Sequence, residues 1–333
     1  ASYVKMNSKK NINRCFSVAP MMDCTDRHFR YLARLISKRT LLYTEMITSA
    51  ALVHGDRKHL LAFDESEHPL ALQLGGSKAD EMKQSAEFAQ AFGYDEININ
   101  CGCPSDRVQS GSFGACLMLE PELVAKNVKA IQTVCELPVT IKSRIGVDEN
   151  DSYEELTHFV ELIAAAGCST FIIHARKAWL SGLSPKQNRE VPPLDYQRVY
   201  RLKQDYPELE IIINGGINSL DESAEHLKYI DGVMMGREAY RNPFILSEVD
   251  TRFYAEARVV KREEILQQYT DYCENQLAVG ARMHHLARPV IGLFHGEPHS
   301  RLWRQHISEQ AYKHGSGIEV LEQAFLRMEP LAA

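Results

Sequence analysis

The chain has 333 residues, of which 44% are hydrophobic and 25% are charged, and its formal net charge is −6. This length accommodates one domain of about 250 residues and a second, smaller domain. The composition is that of a globular protein, without an apolar run of about 18 residues that would span a bilayer. We therefore expect no membrane as a partner. The acidic balance argues against a protein coated in nucleic acid, and we expect no DNA partner.

The cysteines and the N-terminal residues indicate the compartment. The eight cysteines are scattered along the chain without a paired framework, which favours reduced thiols over disulfides. Residues 1–14 are polar and basic, and they lack the apolar segment of a secretory signal. We therefore predict a cytoplasmic protein.

Short runs rich in β-branched residues alternate with helical patterns over the first 250 residues. This alternation indicates repeated βα units and a parallel sheet. The predicted strands cover residues 16–19, 41–45, 70–74, 96–100, 139–142, 170–174, 210–214 and 232–235. Eight such units favour closure into a (β/α)8 barrel, the TIM barrel, over an open sheet.

The alternation stops at about residue 250. Helical patterns without strands between them then cover residues 259–277, 282–294 and 317–328. The sequence therefore predicts a barrel domain over residues 1–250, followed by an all-helical domain over residues 251–333.

Nearly every predicted strand ends in a polar residue. In such barrels the active site is assembled at the carboxyl ends of the strands, so these residues are the candidates for chemistry. Along the chain they are Glu45, Gln73, Asn98, Asn100, Lys142, Arg144, His174, Arg176 and Asn214.

The turns after the last two strands have the composition of a phosphate site. Asn214, Gly215 and Gly216 follow the seventh strand, and Gly236 and Arg237 follow the eighth. Glycines let backbone N–H groups approach an anion, and a helix N-terminus and an arginine add positive potential. We therefore predict that these turns bind the phosphate of a cofactor.

Lys142 has two functional interpretations. It is either a Schiff-base amine for a carbonyl substrate or a fixed cation beside a cofactor that gains negative charge on reduction. Side chains that suit a planar heterocycle, by hydrogen bonding or by apolar packing, accompany it and favour a flavin: Gln73, Asn100, His174, Met21 and Met22.

A thiol follows the fourth strand in the segment Cys101-Gly102-Cys103-Pro104. A thiol beside a cofactor acts as a general acid or a nucleophile, and the proline fixes the geometry of its loop. Zinc is the alternative, but this C-x-C pair has no second close pair and no nearby histidine. We therefore predict no metal site.

Taken together, these motifs resemble the flavin-dependent tRNA-dihydrouridine synthases over essentially the whole chain. The N-x-N-x-G-C-P segment from Asn98 to Pro104 is the most specific of them. The segment that begins at His174-Ala175-Arg176 and continues to Leu183 looks like the A-type bacterial subfamily. The remaining matching motifs are Ala19-Pro20-Met21-Met22, Gln73-Leu74-Gly75, Lys142-Ser143-Arg144, Asn214-Gly215-Gly216 and Gly236-Arg237.

The resemblance implies FMN as cofactor, NADPH as its reductant and D-loop uridines 20 and 20a of tRNA as substrate. Hydride then reaches C6 of the uracil from the flavin, and Cys103 protonates C5. Lys142 stabilises the anionic reduced flavin. The residues implied to hold FMN are Pro20, Met21, Met22, Gln73, Lys142, His174, Asn214, Gly215, Gly216, Gly236 and Arg237.

A base inside folded RNA reaches a barrel mouth only when it is extruded, so such an enzyme needs a cationic surface. Residues 175–189 contain four basic residues and no acid. Residues 282–306 contain four arginines and five histidines against Glu297 alone, and Arg301 and Arg304 lie one helical turn apart. The predicted substrate and tRNA contacts are Asn100, Arg144, Arg176, Lys186, Arg301 and Arg304.

Two other functions remain open. An FMN-dependent dehydrogenase of the dihydroorotate or dihydropyrimidine type would use the same barrel on a free small substrate, and the basic stretches would then have no role. A non-catalytic RNA-binding protein would keep the barrel only as a folding module. The combination of Cys103, Lys142 and His174 speaks against this last possibility.

Overall fold

A computed structural model describes residues 11–329. Within them, eight parallel strands are hydrogen-bonded in the order β1-β8-β7-β6-β5-β4-β3-β2. The strands are β1 (Phe16–Val18), β2 (Leu42–Thr48), β3 (Leu70–Gly75), β4 (Glu96–Cys101), β5 (Val139–Arg144), β6 (Thr170–His174), β7 (Glu210–Asn214) and β8 (Gly232–Met235).

Hydrogen bonds beside β1 close the sheet. The Val18 N–H donates to the Leu41 carbonyl at 3.1 Å, and the Leu41 N–H donates to the Phe16 carbonyl at 3.1 Å. β1 also pairs with β8 over its whole length. The predicted eight-stranded TIM barrel is therefore confirmed.

Helices alternate with the strands and continue after them. The α-helices are α1 (Arg27–Ile36), α2 (Ser49–His54), α3 (Arg57–Leu60), α4 (Ala79–Phe92), α5 (Asp106–Ser110), α6 (Pro121–Gln132), α7 (Tyr153–Ala165), α8 (Tyr196–Asp205), α9 (Leu220–His226), α10 (Arg237–Arg241), α11 (Val249–Tyr254), α12 (Arg262–Ala278), α13 (Met283–Ala287), α14 (Ser300–Gln310) and α15 (Glu319–Leu326). Short 3-10 helices cover Glu65–Glu67, Gly114–Leu119, Gln187–Arg189, Pro243–Glu248 and Arg288–Gly292.

Local chemistry explains where several helices begin. The Asp26 carboxylate accepts a hydrogen bond from the Phe29 N–H at 2.9 Å and so caps α1. Ser152 and Glu155 form a reciprocal capping box at the start of α7. Pro121 occupies the first position of α6, where its missing N–H costs no intrahelical hydrogen bond.

The strands follow their predicted positions closely, with two informative differences. β6, β7 and β8 have the predicted bounds. β2 runs on to Thr48 because residues 46–48 continue to pair with β3, after a register shift between Tyr43 and Met46 that adds one residue to β2. β5 also extends to Arg144, so this arginine belongs to the strand itself.

Chain contacts divide the protein into two compact units. The first comprises the residues up to Pro20, residues 41–63 and residues 68–236, and it contains the strands. The second comprises residues 21–40, residues 64–67 and the chain from Arg237 onward, and it contains α1 and α10 to α15. The predicted domain boundary after residue 250 stays a prediction.

Within the second unit, a buried carboxylate ties the C-terminal end of α1 to α11. Asp250 accepts hydrogen bonds from the Ser37 hydroxyl at 2.7 Å and from the backbone N–H groups of Lys38 and Arg39 at 2.8 and 3.1 Å. Because a buried carboxylate needs such donors, this arrangement fixes the chain that follows α1.

The predicted helix over residues 282–294 is wrong in its extent. The structure has the short helix α13 and then a 3-10 turn, Arg288–Gly292, in which Pro289 lacks the N–H of a continuing α-helix. The predicted helix over 317–328 is present as the shorter α15.

None of the helices in residues 11–329 is long and apolar enough to cross a membrane. The predicted absence of a secretory signal falls largely on residues 1–10, outside the described residues. The cytoplasmic location stays a prediction.

Candidate active site

The loop after β4 holds a thiol at the carboxyl edge of the barrel. The Asn100 Oδ1 atom accepts hydrogen bonds from the N–H groups of Gly102 and Cys103, each at 3.0 Å. The Cys103 carbonyl in turn accepts from the Ala115 N–H at 2.8 Å. The Cys103 thiol is partly exposed and lies 3.6 Å from the Ser105 hydroxyl. The backbone on both sides of this thiol is therefore fixed.

Strand register brings the other predicted residues to the same edge. In the pairing of β4 with β5, Asn100 lies beside Lys142. In the next two pairings His174 lies between Arg144 on β5 and Asn214 on β7. The carboxyl ends of four adjacent strands therefore form one continuous polar edge, as predicted from their sequence.

Lys142 is a cation in an unfavourable environment. Burial, together with the nearby Arg144 and Arg189 guanidinium groups, lowers the pKa of Lys142 to about 8, against a smaller opposing effect of Cys103. Among residues 11–329 it forms no ion pair with a carboxylate. An anionic group bound at this edge would relieve the cost of holding the ammonium there.

Arg144 is predicted to contact substrate or tRNA, and the structure gives it backbone partners. It is 4% exposed. Its Nε donates to the Gly102 carbonyl at 3.0 Å, and its terminal nitrogen donates to the Asn188 carbonyl at 2.8 Å. The side chain thereby joins the Cys103 loop to the loop after β6, and its direct contact with substrate stays a prediction.

His174 presents an unused ring nitrogen beside a cradle of glycines. Burial, with the positive charges of Arg144 and Lys142, lowers the pKa of His174 well below its usual range, so the imidazole is neutral. Its Nε2 is buried and has no hydrogen-bond partner in the described part of the chain. Buried polar atoms are normally satisfied, so this atom indicates a place for a bound molecule.

The turn after β7 fits against that imidazole only because Gly215 lacks a side chain. Gly215 and Gly216 have φ angles of 116° and 65°, and a Cβ on Gly215 would lie 2.5 Å from the His174 Cδ2. The Asn214 side chain donates to the Met234 carbonyl at 2.9 Å, which joins the ends of β7 and β8. The helices that follow both turns, α9 and α10, are short, so the phosphate prediction rests on backbone N–H groups and Arg237 more than on helix termini.

The remaining predicted site residues lie outside strands β4 to β7. In the loop after β6, the Arg176 Nε donates to the Pro192 carbonyl at 2.9 Å, and Lys186 is exposed. Pro20 and Gly236 are the boundary residues of the first unit. Met21 and Met22 belong to the second unit, and Met22 is 55% exposed. Arg301 and Arg304 also belong to it and are exposed on α14. Arg237 also belongs to it, as the first residue of α10.

Residues 11–329 contain no group of three or more histidine, cysteine, aspartate or glutamate side chains arranged to hold a metal ion. The predicted absence of a metal site therefore stays a prediction for the chain as a whole.

A buried polar row inside the barrel was only partly identified from the sequence, which singled out Asn98 but not Glu96 or Thr140. Glu96 and Asn98, with exposures of zero, lie on β4 at alternate positions before Asn100, and Thr140 lies beside Asn98 on β5. The signal was the period-two spacing of polar residues on a strand otherwise made of isoleucine. Such a row faces one side of the sheet, here the barrel interior.

These features define a TIM-barrel enzyme whose strand ends present a positioned thiol, a strained lysine and a neutral histidine. The family model described as dihydrouridine synthase (Dus) matches residues 17–329, and the chain belongs to this family. Over 321 residues, 96% of each chain, it is 57% identical to the tRNA-dihydrouridine(20/20a) synthase of Shewanella oneidensis.

Two further relatives have the same name. The chain is 57% identical over 314 residues to the protein of Vibrio parahaemolyticus, covering 94% of this chain and 96% of the relative. It is 54% identical over 317 residues to the protein of Yersinia pestis, covering 95% and 92%.

Solved structures of much lower identity share the fold. A 2-naphthoyl-CoA reductase complex has a TM-score of 0.54 at 13% identity over 70% of this chain. Histamine dehydrogenase from Rhizobium sp. 4-9 has a TM-score of 0.52 at 13% identity over 72% of this chain. This chain spans 49% and 47% of those two proteins, and at such identity the likeness concerns the barrel alone.

Proposed function

We propose that this chain is an oxidoreductase that reduces the C5–C6 double bond of uridines 20 and 20a in the D-loop of tRNA, using FMN and NADPH. Relatives that are 54% to 57% identical over more than nine-tenths of both chains carry the name of this activity. The structural observation that carries the proposal is the Cys103 thiol at the carboxyl edge of the barrel, on a loop whose backbone Asn100 holds by a hydrogen bond.

The strand ends of the first unit fit a flavin. His174 has an unpartnered buried nitrogen, Lys142 an ammonium without a carboxylate, and Gly215 a space that a Cβ would fill. A planar heterocycle with several donors and acceptors that becomes anionic on reduction satisfies all three. Gln73, Asn214 and Gly216 complete the proposed FMN-binding residues in this unit, while contributions from Pro20, Met21, Met22, Gly236 and Arg237 stay predictions.

When bound, FMN supplies the hydride that is added to C6 of the uracil, after its own reduction by NADPH. The chain supplies the proton. The Cys103 thiol releases it to C5 as general acid, so hydride and proton together saturate the double bond. The Lys142 and Arg144 side chains lie near this sulfur and bring positive charge to the place where the proton is transferred.

We propose that residues 251–333 form a tRNA-binding domain. Arg301 and Arg304 lie exposed on one face of α14, where two phosphates of an RNA backbone can be reached. In the same unit the His284 and Tyr312 rings are stacked with centroids 5.1 Å apart, and Tyr312 is 68% exposed. Such a ring offers its free face to an unpaired base. Arg176 and Lys186, in the loop after β6, are the proposed tRNA contacts of the first unit.

The test is reduction of unmodified tRNA transcript by the purified protein with FMN and NADPH, with dihydrouridine at positions 20 and 20a measured by mass spectrometry. We expect both positions to be converted, and Cys103→Ala to lower conversion at least about a hundredfold at unchanged FMN content, because it removes the general acid.

The matched control is Cys116→Ala, which removes a partly buried thiol bonded to the Phe113 carbonyl instead. It should convert tRNA at the wild-type rate. Turnover of free dihydroorotate or uracil without any conversion of tRNA would favour a small-substrate dehydrogenase instead. Equal activity of Cys103→Ala and wild type would show that another group delivers the proton.

A further inference from the structure

The hydrogen bonds that fix the catalytic loop continue into the barrel interior. Asn100 uses its Oδ1 atom for the N–H groups of Gly102 and Cys103, and its Nδ2 donates to the Gln73 Oε1 at 3.1 Å. Asn100 therefore joins the backbone of the thiol loop to a buried side chain of the neighbouring strand β3.

The same donor-to-acceptor order continues down the barrel. The Gln73 Nε2 donates to the Asn98 Oδ1 at 2.8 Å, and the Asn98 Nδ2 donates to the Thr140 hydroxyl at 2.9 Å. The Thr140 hydroxyl then donates to the Glu96 Oε2 at 2.9 Å. These four side chains are between 0% and 1% exposed, so water does not compete for their hydrogen bonds.

This row of hydrogen bonds ends on the Glu96 carboxylate, which is paired with the Arg14 guanidinium. The Glu96 Oε1 accepts from the Arg14 Nε at 2.6 Å. The Tyr43 hydroxyl donates to the Glu96 Oε2 at 2.8 Å, and burial raises the pKa of Tyr43 so that it keeps this proton. A carboxylate oxygen that faces a guanidinium accepts hydrogen bonds, and the Arg14, Tyr43 and Thr140 side chains all donate to Glu96.

These hydrogen bonds determine the orientation of each amide in turn. Because Thr140 gives its only proton to Glu96, it must accept from Asn98, and Asn98 must then offer its oxygen to Gln73. Gln73 in turn accepts from Asn100, and the Asn100 oxygen remains for the loop N–H groups. All the bond dipoles point toward Glu96, an arrangement in which neighbouring hydrogen bonds strengthen one another.

We propose that Glu96 and Thr140 are positioning residues for the Cys103 thiol. They act through Asn98, Gln73 and Asn100 to hold the loop at the geometry needed for proton transfer. This inference rests on the proposed role of Cys103 as general acid. One of its two measurements, the protection of the loop amides from hydrogen exchange, does not depend on that role of Cys103.

The experiment compares three variants of the flavin-loaded enzyme. Thr140→Val keeps the shape of the side chain but breaks the row of hydrogen bonds between Glu96 and Asn100. Thr140→Ser keeps a hydroxyl and should preserve that row. The control is Thr170→Val, because the Thr170 hydroxyl is also buried and donates to a carboxylate, Glu210, at 2.8 Å. Glu210 shares Arg14 with Glu96, but Thr170 is not one of the side chains that link Glu96 to Asn100. Hydrogen exchange is followed in peptides that contain residues 102 and 103, together with kcat and KM for tRNA.

We expect Thr140→Val to speed exchange at residues 102 and 103 at least about tenfold and to lower kcat about tenfold at unchanged KM. Thr170→Val and Thr140→Ser should stay within about twofold of wild type in both measurements. The proposal is overturned if Thr140→Val and Thr170→Val behave alike, or if kcat falls without a change in loop exchange.

Should Thr140→Val fail to fold, Glu96→Gln decides by the same two measurements. Arg14 keeps the glutamine oxygen on its own side, so the amide nitrogen faces Thr140 and reverses the polarity of the chain. Wild-type exchange and kcat in Glu96→Gln would refute the proposal. A wild-type enzyme that protects residues 102 and 103 but converts no uridine would instead contradict the proposed function and leave the positioning of the loop supported.

Discussion

Replacing Lys142 by methionine should stabilise the protein in its cofactor-free form. Burial and the neighbouring arginines lower the pKa of Lys142 from 10.5 to about 8. At about 1.4 kcal/mol per pH unit, this difference corresponds to roughly 3 kcal/mol of unfavourable free energy. The side chain is partly exposed, so screening by water reduces the expected gain to about 2 kcal/mol.

The pH dependence has a definite sign. Between pH 8 and 10.5 the unfolded chain binds a proton at Lys142 that the folded protein does not hold. The contribution of Lys142 to the free energy of unfolding of the wild type therefore rises with pH between pH 8 and 10.5 and is constant below pH 8. The stability advantage of Lys142→Met should thus be largest at pH 7 to 8 and should decline as the pH approaches 10.5. Urea unfolding of both proteins at a series of pH values measures it.

Lys203→Met is a control of opposite sign. The Lys203 ammonium is 2.7 Å from the Asp231 carboxylate and donates to two backbone carbonyls, so its removal should destabilise the protein at every pH in the series. A Lys142→Met variant that is no more stable than wild type at pH 7, with a constant difference up to pH 10.5, would show that Lys142 is not held under electrostatic strain.

Two further predictions concern the cofactor and the tRNA. Gly215→Ala should weaken FMN binding at least about tenfold, because a Cβ would lie 2.5 Å from the His174 ring at a positive φ. The control Gly182→Ala is also at positive φ but has nothing within 4 Å, and it should leave the Kd for FMN unchanged. Equal effects of the two variants would show that Gly215 does not make room for FMN beside His174. Arg301→Ala should weaken tRNA binding and lower the salt dependence by about one phosphate contact without slowing NADPH oxidation; an unchanged salt dependence would remove Arg301 from the interface.

The barrel was readable from the sequence because its strands are buried on both faces. The runs Phe171-Ile172-Ile173 and Ile211-Ile212-Ile213 are completely apolar, and both belong to strands with the predicted bounds. Contiguous hydrophobic runs between helical patterns are specific for parallel strands. The register shift in β2 was not readable, because it depends on pairing with β3 and not on the strand's own residues.

The helical part was less predictable for a related reason. The apolar pattern over residues 282–294 continues through Pro289, and the prediction followed that pattern although a proline inside a helix interrupts it. Pro289 ends α13 and converts the following turn to a 3-10 helix. The grouping of α1 with the C-terminal helices was also hidden, since it depends on contacts such as that between Asp250 and Ser37, which are 213 residues apart.

At the strand ends, residue identity predicted which groups would meet but not how they interact. Lys142 and His174 were expected at one edge, and the strand register places them on adjacent strands. The predicted contact of Arg144 with substrate stays a prediction, and the structure adds that its guanidinium binds the Gly102 and Asn188 carbonyls. Sequence could not show this, because backbone carbonyls are present at every position and only the folded loops bring two of them to one arginine.

The row of hydrogen bonds from Asn100 to Glu96 and the Lys142 ammonium serve opposite requirements of the same site. A proton donor must be held in one geometry, which the unidirectional bonds from Cys103 to Glu96 achieve with neutral side chains and one compensated charge. A group that meets developing negative charge must instead remain uncompensated until the ligand arrives, as Lys142 does. A carboxylate placed beside Lys142 would stabilise the empty protein and weaken its response to an anionic cofactor. The buried carboxylate of Glu96 is therefore best placed where it is found, deep in the barrel and paired with Arg14.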